Sequence, residues 1–261
     1  MKFVPRRLKT SADASRGGHE GWRSRLKGAL SAVLVLAGVY VLLGWTAAAV
    51  ATHVPAGWET RWFGWAPDAL ELHEQPAADV QALFDHLLED STLLDFPYRL
   101  YVIDDDEPNA FAIPGGTVAV TRGLLEIVQG ETGRALVLAH ELGHLQLRHG
   151  LQRLGRVLLL QLTLAGVGVD SNALVKNSFG LADLSHSRGQ ERAADAFGLE
   201  LVYRRLGTTA GALEFFEKLG EIEDASPLPR TGSFLRTHPL SADRIDDLRT
   251  RAAALESGAQ T

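Results

Sequence analysis

The 261-residue chain contains no cysteine. That excludes disulfides, thiolate metal sites and a cysteine nucleophile, and it excludes lipid anchors carried on cysteine. Any metal site must be built from His, Asp or Glu. A cysteine-free chain is compatible with an oxidising compartment without requiring one. Excess positive charge is also missing: 26 Lys and Arg stand against 32 Asp and Glu, a formal charge of −6. Nucleic-acid binders are usually basic, so nucleic acid is not an expected partner. There is no G-x-S-x-G, so no covalent acyl-enzyme is suggested, and no internal repeat is visible.

The charge is unevenly spread. Residues 1–27 hold Lys2, Arg6, Arg7, Lys9, Arg16, Arg23, Arg25 and Lys27 against only Asp13 and Glu20. The run "GALSAVLVLAGVYVLLGWTAAAVATH" follows, with no acidic residue, Lys or Arg from Gly28 to Trp58. A helix needs about 20 apolar residues to cross a bilayer, and a basic flank keeps the preceding end in the cytoplasm. Residues 28–51 are therefore expected to be a transmembrane signal-anchor, with 1–27 as a basic cytoplasmic segment. A cleaved signal peptide is the alternative, since "TAAAVA" offers small residues, but both the apolar run and the basic segment are long for one. A buried core helix is the remaining reading.

Residues 52–75 read as a juxtamembrane linker. Trp58, Trp62, Phe63 and Trp65 suit a membrane–water boundary or packing into the domain edge. "PAADVQALFDHLLED" has helical spacing, with His86 as an ordinary surface or core histidine. "YRLYVIDDD" reads as a strand. Asp104 to Glu107 lack the spacing and glycine of a calcium loop, so a solvated turn is expected. "NAFAIPGGTVAVT" gives two short strands around Pro114, Gly115 and Gly116. "GETGRALVLAHELGHLQLRHG" is a helix that can stop at Gly150. "VLLLQLTLAGVGV" is apolar all round but too short to span a bilayer as a straight helix. It is either a buried helix or one that dips into a membrane surface. Ser187 and Gln190 form a capping box that starts the next helix. "SPLPRTGSFLRTHPL" is a loop, and a polar helix begins near Ser241.

Within the apolar stretch "LVLAHELGHLQLRHG", His140 and His144 lie four apart and project from one helix face. Glu141 sits beside them. This is the H-E-x-x-H arrangement of two zinc ligands and a general base. The bland alternative is a wet helix face, but Val137, Leu138, Ala139 and Leu142 surround the trio, and buried polar groups need partners. A hydrolytic zinc usually takes three protein ligands and a water. A third histidine of the metzincin pattern would fall at Gly150. His149 is one residue short and is expected to cap the helix or face solvent. A glutamate from a later helix is the other solution. "SRGQERAAD" offers Glu191 as ligand, with Asp195 placed to accept a hydrogen bond from the far nitrogen of His140 and fix its tautomer.

With these blocks in view, the chain resembles the M48 family of zinc metallopeptidases, the relatives of the Ste24, HtpX and Oma1 types. The matching blocks are "NAFAIPGG", "HELGHLQLRH", "SRGQERAAD" and "THPLSADRI", with "VPAGWETRWFG" upstream, over about residues 54 to 250. The resemblance implies an α+β, mostly α, zincin-like (gluzincin) domain at residues 76–256, with a small β-sheet beside the H-E-x-x-H helix and one preceding transmembrane helix. It implies one zinc per chain on His140, His144 and Glu191, with Glu141 as base. The strand from Asn109 through Ala110 and Phe111 to Ala112 would hold substrate backbone by strand addition. His238 would steady the oxyanion or take the fourth zinc position at rest, and Arg244 would orient a carboxylate. The implied protein is a single-pass bacterial inner-membrane endopeptidase acting on proteins or peptides, with its catalytic domain in the periplasm, lipid as partner of its N-terminal helix, and envelope protein quality control as its setting. The alternative is a catalytically silent peptidase scaffold used for binding or chaperoning.

Overall fold

The structure is a computed structural model that describes residues 22–166, 186–225, 234, 237–239 and 241–258. Residues 1–21 of the basic segment expected at 1–27, the end of the second apolar run at 167–169, and much of the loop before His238 lie outside the described residues. The chain divides into two units, Met1–Leu43 and Gly44–Thr261. Helix α1 (Trp22–Ala51) carries the long apolar run. Its portion Ser24–Ala51 is long and apolar enough to cross a membrane, and its leucines and valines are largely exposed. Short helices α2 (Ala56–Phe63) and α3 (Ala66–Ala69) follow, then α4 (Ala78–Leu88).

Three short strands come next. β1 (Arg99–Ile103), β2 (Ala110–Ile113) and β3 (Thr117–Thr121) form a sheet in the order β1-β3-β2. β1 runs parallel to β3, and β2 pairs antiparallel with it. β3 is the central strand and every residue of it is buried. The β2–β3 turn works because Gly115 and Gly116 adopt φ of +93° and +104°, a region open to glycine. Helices α5 (Arg122–Ile127), α6 (Glu131–Gln146), α7 (His149–Gly166), α8 (Arg188–Leu206), α9 (Glu214–Ala225) and α10 (Ala242–Glu256) complete the described fold. The fold is α+β and mostly helical, with the small sheet beside α6.

α6 is the central element. Each residue from Ala135 to Leu145 is buried, as expected for a helix apolar on all sides. Phe84 and Leu87 of α4, Val118 and Val120 of β3, Leu199 and Val202 of α8, and Phe215 and Phe216 of α9 share its core. α8 approaches most closely. A Cβ on Gly198 would lie 2.9 Å from the His140 backbone nitrogen, and one on Gly143 would lie 3.1 Å from the Ala194 carbonyl oxygen. The α8 start is set by the capping box of Ser187 and Gln190, and its end by Gly207 at φ +74°.

The first departure from the sequence reading lies at the end of α6. The helix does not continue to Gly150; it ends at Gln146, and α7 begins at His149 and passes through Gly150. The break falls at Arg148, held at φ +57°. Its side chain turns inward to a buried ion pair with Glu59 of α2 and donates to the Val54 carbonyl at 3.0 Å. Glu59 also accepts from the Gly115 backbone N–H at 3.0 Å. One pair thus ties the segment after α1, the α6–α7 corner and the β2–β3 turn together. His86 is half-buried against the Arg205 carbonyl. Asp104 and Asp106 are exposed and pair with Arg122.

Removing one partner of a buried ion pair leaves an uncompensated charge, at a cost of about 3–5 kcal/mol. Glu59→Ala should lower unfolding stability by about that amount, whereas Arg61→Ala, at an exposed position on the same helix, should change it little. Denaturant midpoints of the two variants test this; equal midpoints would show that the pair carries no structural load.

Candidate metal centre

α6 and α8 project their polar residues toward each other in the middle of the apolar core. His140, Glu141, His144, Glu191 and His238 are all almost completely buried. His140 Nε2 lies 3.0 Å from His144 Nε2 and 3.6 Å from Glu191 Oε2. His144 Nε2 is 3.5 Å from Glu191 Oε1. His238 Nδ1 is 3.3 Å from His140 Nε2 and 3.2 Å from Glu191 Oε1. A tetrahedral zinc site with arms of about 2.0–2.1 Å has ligand–ligand edges of about 3.3–3.4 Å. The spacing of His140, His144, Glu191 and His238 is close to that, and their donor atoms all fall within 4.8 Å of one another. Two imidazole nitrogens 3.0 Å apart in a dry core have no reason to meet unless a proton or a cation sits between them. The donor set therefore fits a divalent cation of the zinc type.

The corners of this cluster are held from behind. His140 Nδ1 meets Asp195 Oδ1 at 2.9 Å, which leaves Nε2 directed at the cluster. Arg244, from the start of α10, grips Asp195 with Nε and Nη2 at 2.8 Å each. Its Nη1 lies 2.8 Å from Glu191 Oε2. Such bidentate charge-assisted bonding fixes both carboxylates in orientation. Arg244 reaches this position because Ser241 caps α10. Phe234 stacks on His238 with ring centroids 4.5 Å apart.

The electrostatics follow from the packing. Burial pushes the Glu141 carboxyl up, and His238 and His140 only partly oppose it, so its pKa is raised. Burial also pushes Glu191 up, but His238, His140 and Arg244 outweigh it and hold Glu191 at about 2. For His140, burial is outweighed by the Asp195 hydrogen bond and the surrounding carboxylates, so its pKa is raised. His144 is driven well down by burial and by His186. Two carboxylates in one pocket are thus pushed in opposite directions, which separates a ligand-like anion from a proton acceptor.

The structure also brings two further histidines to the cluster. His149 neither caps the helix nor faces solvent: it is buried, and its Nδ1 lies 2.9 Å from His144 Nδ1. The break at Arg148 rotates α7 so that its first residue faces inward. Burial holds His149 at about 4, so it stands neutral behind His144 as Asp195 stands behind His140. His186 stacks on the His144 ring at 3.9 Å and is held at about 2, burial being the main cause. Its place just before the Ser187 capping box was the only sequence signal available for it.

β2 borders the centre with one edge unpaired among the described residues. Asn109 is turned toward β3: its carbonyl accepts from the Thr121 N–H at 2.9 Å, and its own N–H donates to Thr121 Oγ1 at 2.8 Å. The alternation of an antiparallel ladder then points the backbone groups of Ala110 and Ala112 away from β3. Phe111 and Ala112 line a largely apolar cavity of about 200 Å³ together with Ile113, Leu154, Val157 and His238. The expected strand residues therefore divide: Asn109 is committed to the sheet, the backbone groups of Ala110 and Ala112 point away from β3, and the Ala112 N–H is directed at the Glu141 carboxylate.

Comparison with known proteins agrees with this geometry. Mitochondrial metalloendopeptidase OMA1 of Schizosaccharomyces pombe is 33% identical over 171 residues, covering 64% of this chain and 50% of that protein. The putative beta-barrel assembly-enhancing protease of Vibrio cholerae is 34% identical over 173 residues, covering 60% of this chain and 35% of that protein. Metalloprotease LoiP of Escherichia coli K12 is 30% identical over 165 residues, covering 60% of this chain and 63% of that protein. The chain spans less than two thirds of the length of each of these relatives. Residues 74–252, which hold the sheet and the whole buried cluster, match peptidase family M48, and the chain belongs to that family.

Proposed function

We propose that this chain is a membrane-anchored zinc endopeptidase whose catalytic domain faces the periplasm and acts on envelope proteins. The observation that carries the reading is the buried four-donor set of His140, His144, Glu191 and His238 with the raised carboxyl of Glu141 beside it. The family membership supports the peptidase activity. Helix α1 and the basic residues before it support the anchor and its orientation. The V. cholerae relative, a putative beta-barrel assembly-enhancing protease, supports a role in envelope protein quality control.

In this reading His140, His144 and Glu191 hold the zinc, which when bound acidifies water and polarises a carbonyl. The substrate enters extended and pairs with the free edge of β2, so the Ala110 and Ala112 backbone groups fix its register. The Phe111 and Ile113 side of the cavity receives an adjacent apolar side chain. Glu141 takes a proton from the attacking water and returns it to the leaving amine; its raised pKa suits both transfers. Asp195 keeps His140 in the tautomer that offers Nε2, and Arg244 keeps Asp195 and Glu191 from rotating. His238 stands at the fourth corner, where water and substrate must meet, with its Nε2 3.5 Å from Glu141 Oε1. That placement favours a closed resting state over an oxyanion role. Opening requires His238 to leave, and its lodging under Phe234 offers a contact to break.

Metal analysis should find about one zinc per chain, with occupancy lost in His140→Ala, His144→Ala and Glu191→Ala; full occupancy in Glu191→Ala would remove that residue from the ligand set. Glu141→Gln should keep zinc and fold while losing hydrolysis by about 10²–10⁴-fold, because an amide cannot take the proton. Turnover near wild type in that variant would end the general-base assignment, and no hydrolysis by the zinc-loaded wild type would leave the scaffold reading standing. His238→Ala should retain zinc and raise peptide cleavage. A fall in kcat of about 10²–10³-fold instead would assign His238 to the oxyanion.

A further inference from the structure

The second half of α7 is a helix whose covering is unaccounted for. From Val157 to Gly166 it holds no charged residue, and Leu158 and Leu162 are 50% and 70% exposed. Exposed leucines on one helix face, in a run otherwise apolar, mark an interaction surface. The start of α7 packs on the last turns of α1: a Cβ on Gly155 would lie 3.3 Å from Ala47 Cβ, and one on Gly44 would lie 3.9 Å from the Arg156 side chain. Nearby, Trp58, Trp62 and Trp65 are 61%, 48% and 63% exposed. They form one patch: the Trp58 and Trp62 rings meet edge to face at 5.8 Å, and Trp65 Nε1 donates to the Trp62 carbonyl at 2.8 Å. Tryptophan with one wet and one apolar side is the residue of membrane boundaries.

We propose that α7 from Val157 to Gly166, with Trp58, Trp62 and Trp65 at its collar, is seated in one leaflet of a lipid bilayer. Ten helical residues reach about 15 Å, roughly half of a 30 Å hydrocarbon core, so the segment enters a leaflet and does not span. Arg156 immediately precedes the apolar half, at the level where a guanidinium group meets lipid phosphates. Trp65, Leu154 and Val157 also line the cavity that holds Phe111 and His238. The cleft mouth then opens at the membrane surface, and the substrates it meets first are chain segments lying on or leaving the lipid. The proposal rests on reading α1 as the membrane anchor.

The cysteine-free chain allows single spin labels without background. Full-length protein in nanodiscs of phosphatidylethanolamine and phosphatidylglycerol would carry a nitroxide at Leu158→Cys, Leu162→Cys, Leu34→Cys on α1, or Glu200→Cys at an exposed position of α8. Collision with oxygen reports hydrocarbon, and collision with a water-soluble nickel chelate reports water. The oxygen-to-nickel ratio at Leu158 and Leu162 should be severalfold above that at Glu200 and close to that at Leu34. A high ratio at Leu34 with a Glu200-like ratio at Leu158 and Leu162 overturns the proposal and leaves the anchor intact. Exclusion of both reagents at Leu158 and Leu162 overturns it too, since another protein surface would then be the cover. A Glu200-like ratio at Leu34 removes the anchor reading and this proposal with it.

Discussion

The close approach of α6 and α8 is the constraint on which the rest of the molecule depends. At Gly198 the two helices touch backbone to backbone, with 2.9 Å from an added Cβ to the His140 nitrogen. At Gly143 the reverse contact is almost as tight. Glutamate has a short side chain, so Glu191 can meet His140 and His144 only if the two helix axes lie unusually near. Small residues at the crossing set that distance. Once it is set, Asp195 one turn further falls behind His140, and a single helix supplies both a candidate ligand and the group that orients its neighbour.

Burying so many polar groups in an apolar core is costly unless each finds a partner. The network achieves this in layers. Asp195 and His149 stand behind the two α6 histidines, Arg244 stands behind Asp195 and Glu191, and the Pro239 carbonyl accepts from Arg244 in turn at 2.9 Å. Opposing effects keep the charges distinct. Burial alone would raise every carboxyl in the pocket, yet only Glu141, which lacks an arginine, stays raised. A positive group placed beside one carboxylate and not the other is enough to give two glutamates different chemical characters.

Much of this was legible in the sequence, for identifiable reasons. His140, Glu141 and His144 announce themselves because polar residues at helical spacing interrupt an apolar run. Glu191 and Asp195 repeat that spacing behind an unmistakable cap. The hairpin shows in Pro114, Gly115 and Gly116. What stayed hidden depends on tertiary direction. His149 looked like a helix end because nothing local says that Arg148 takes a left-handed backbone; only the buried Glu59, 89 residues earlier, explains it. The parallel pairing of β1 with β3 is equally invisible, since strand spacing gives existence and not order. His186 stacks on His144 through a loop whose course no periodicity encodes. The roles of Ala110 and Ala112 separate from that of Asn109 only once the ladder to β3 fixes which backbone groups are already spoken for.

β2 offers a free edge only four residues long. An unpaired edge is ordinarily a hazard, since any strand can add to it. Here it is short and sunk beside α7 and the cavity, so a neighbouring sheet cannot reach it. A chain can pair there only if it is already stripped of its own secondary structure over several residues and thin enough to thread the cleft. In the proposed reading the edge would measure foldedness, not sequence: a well-folded protein would pass unread, and a damaged one would expose the extended backbone that fits.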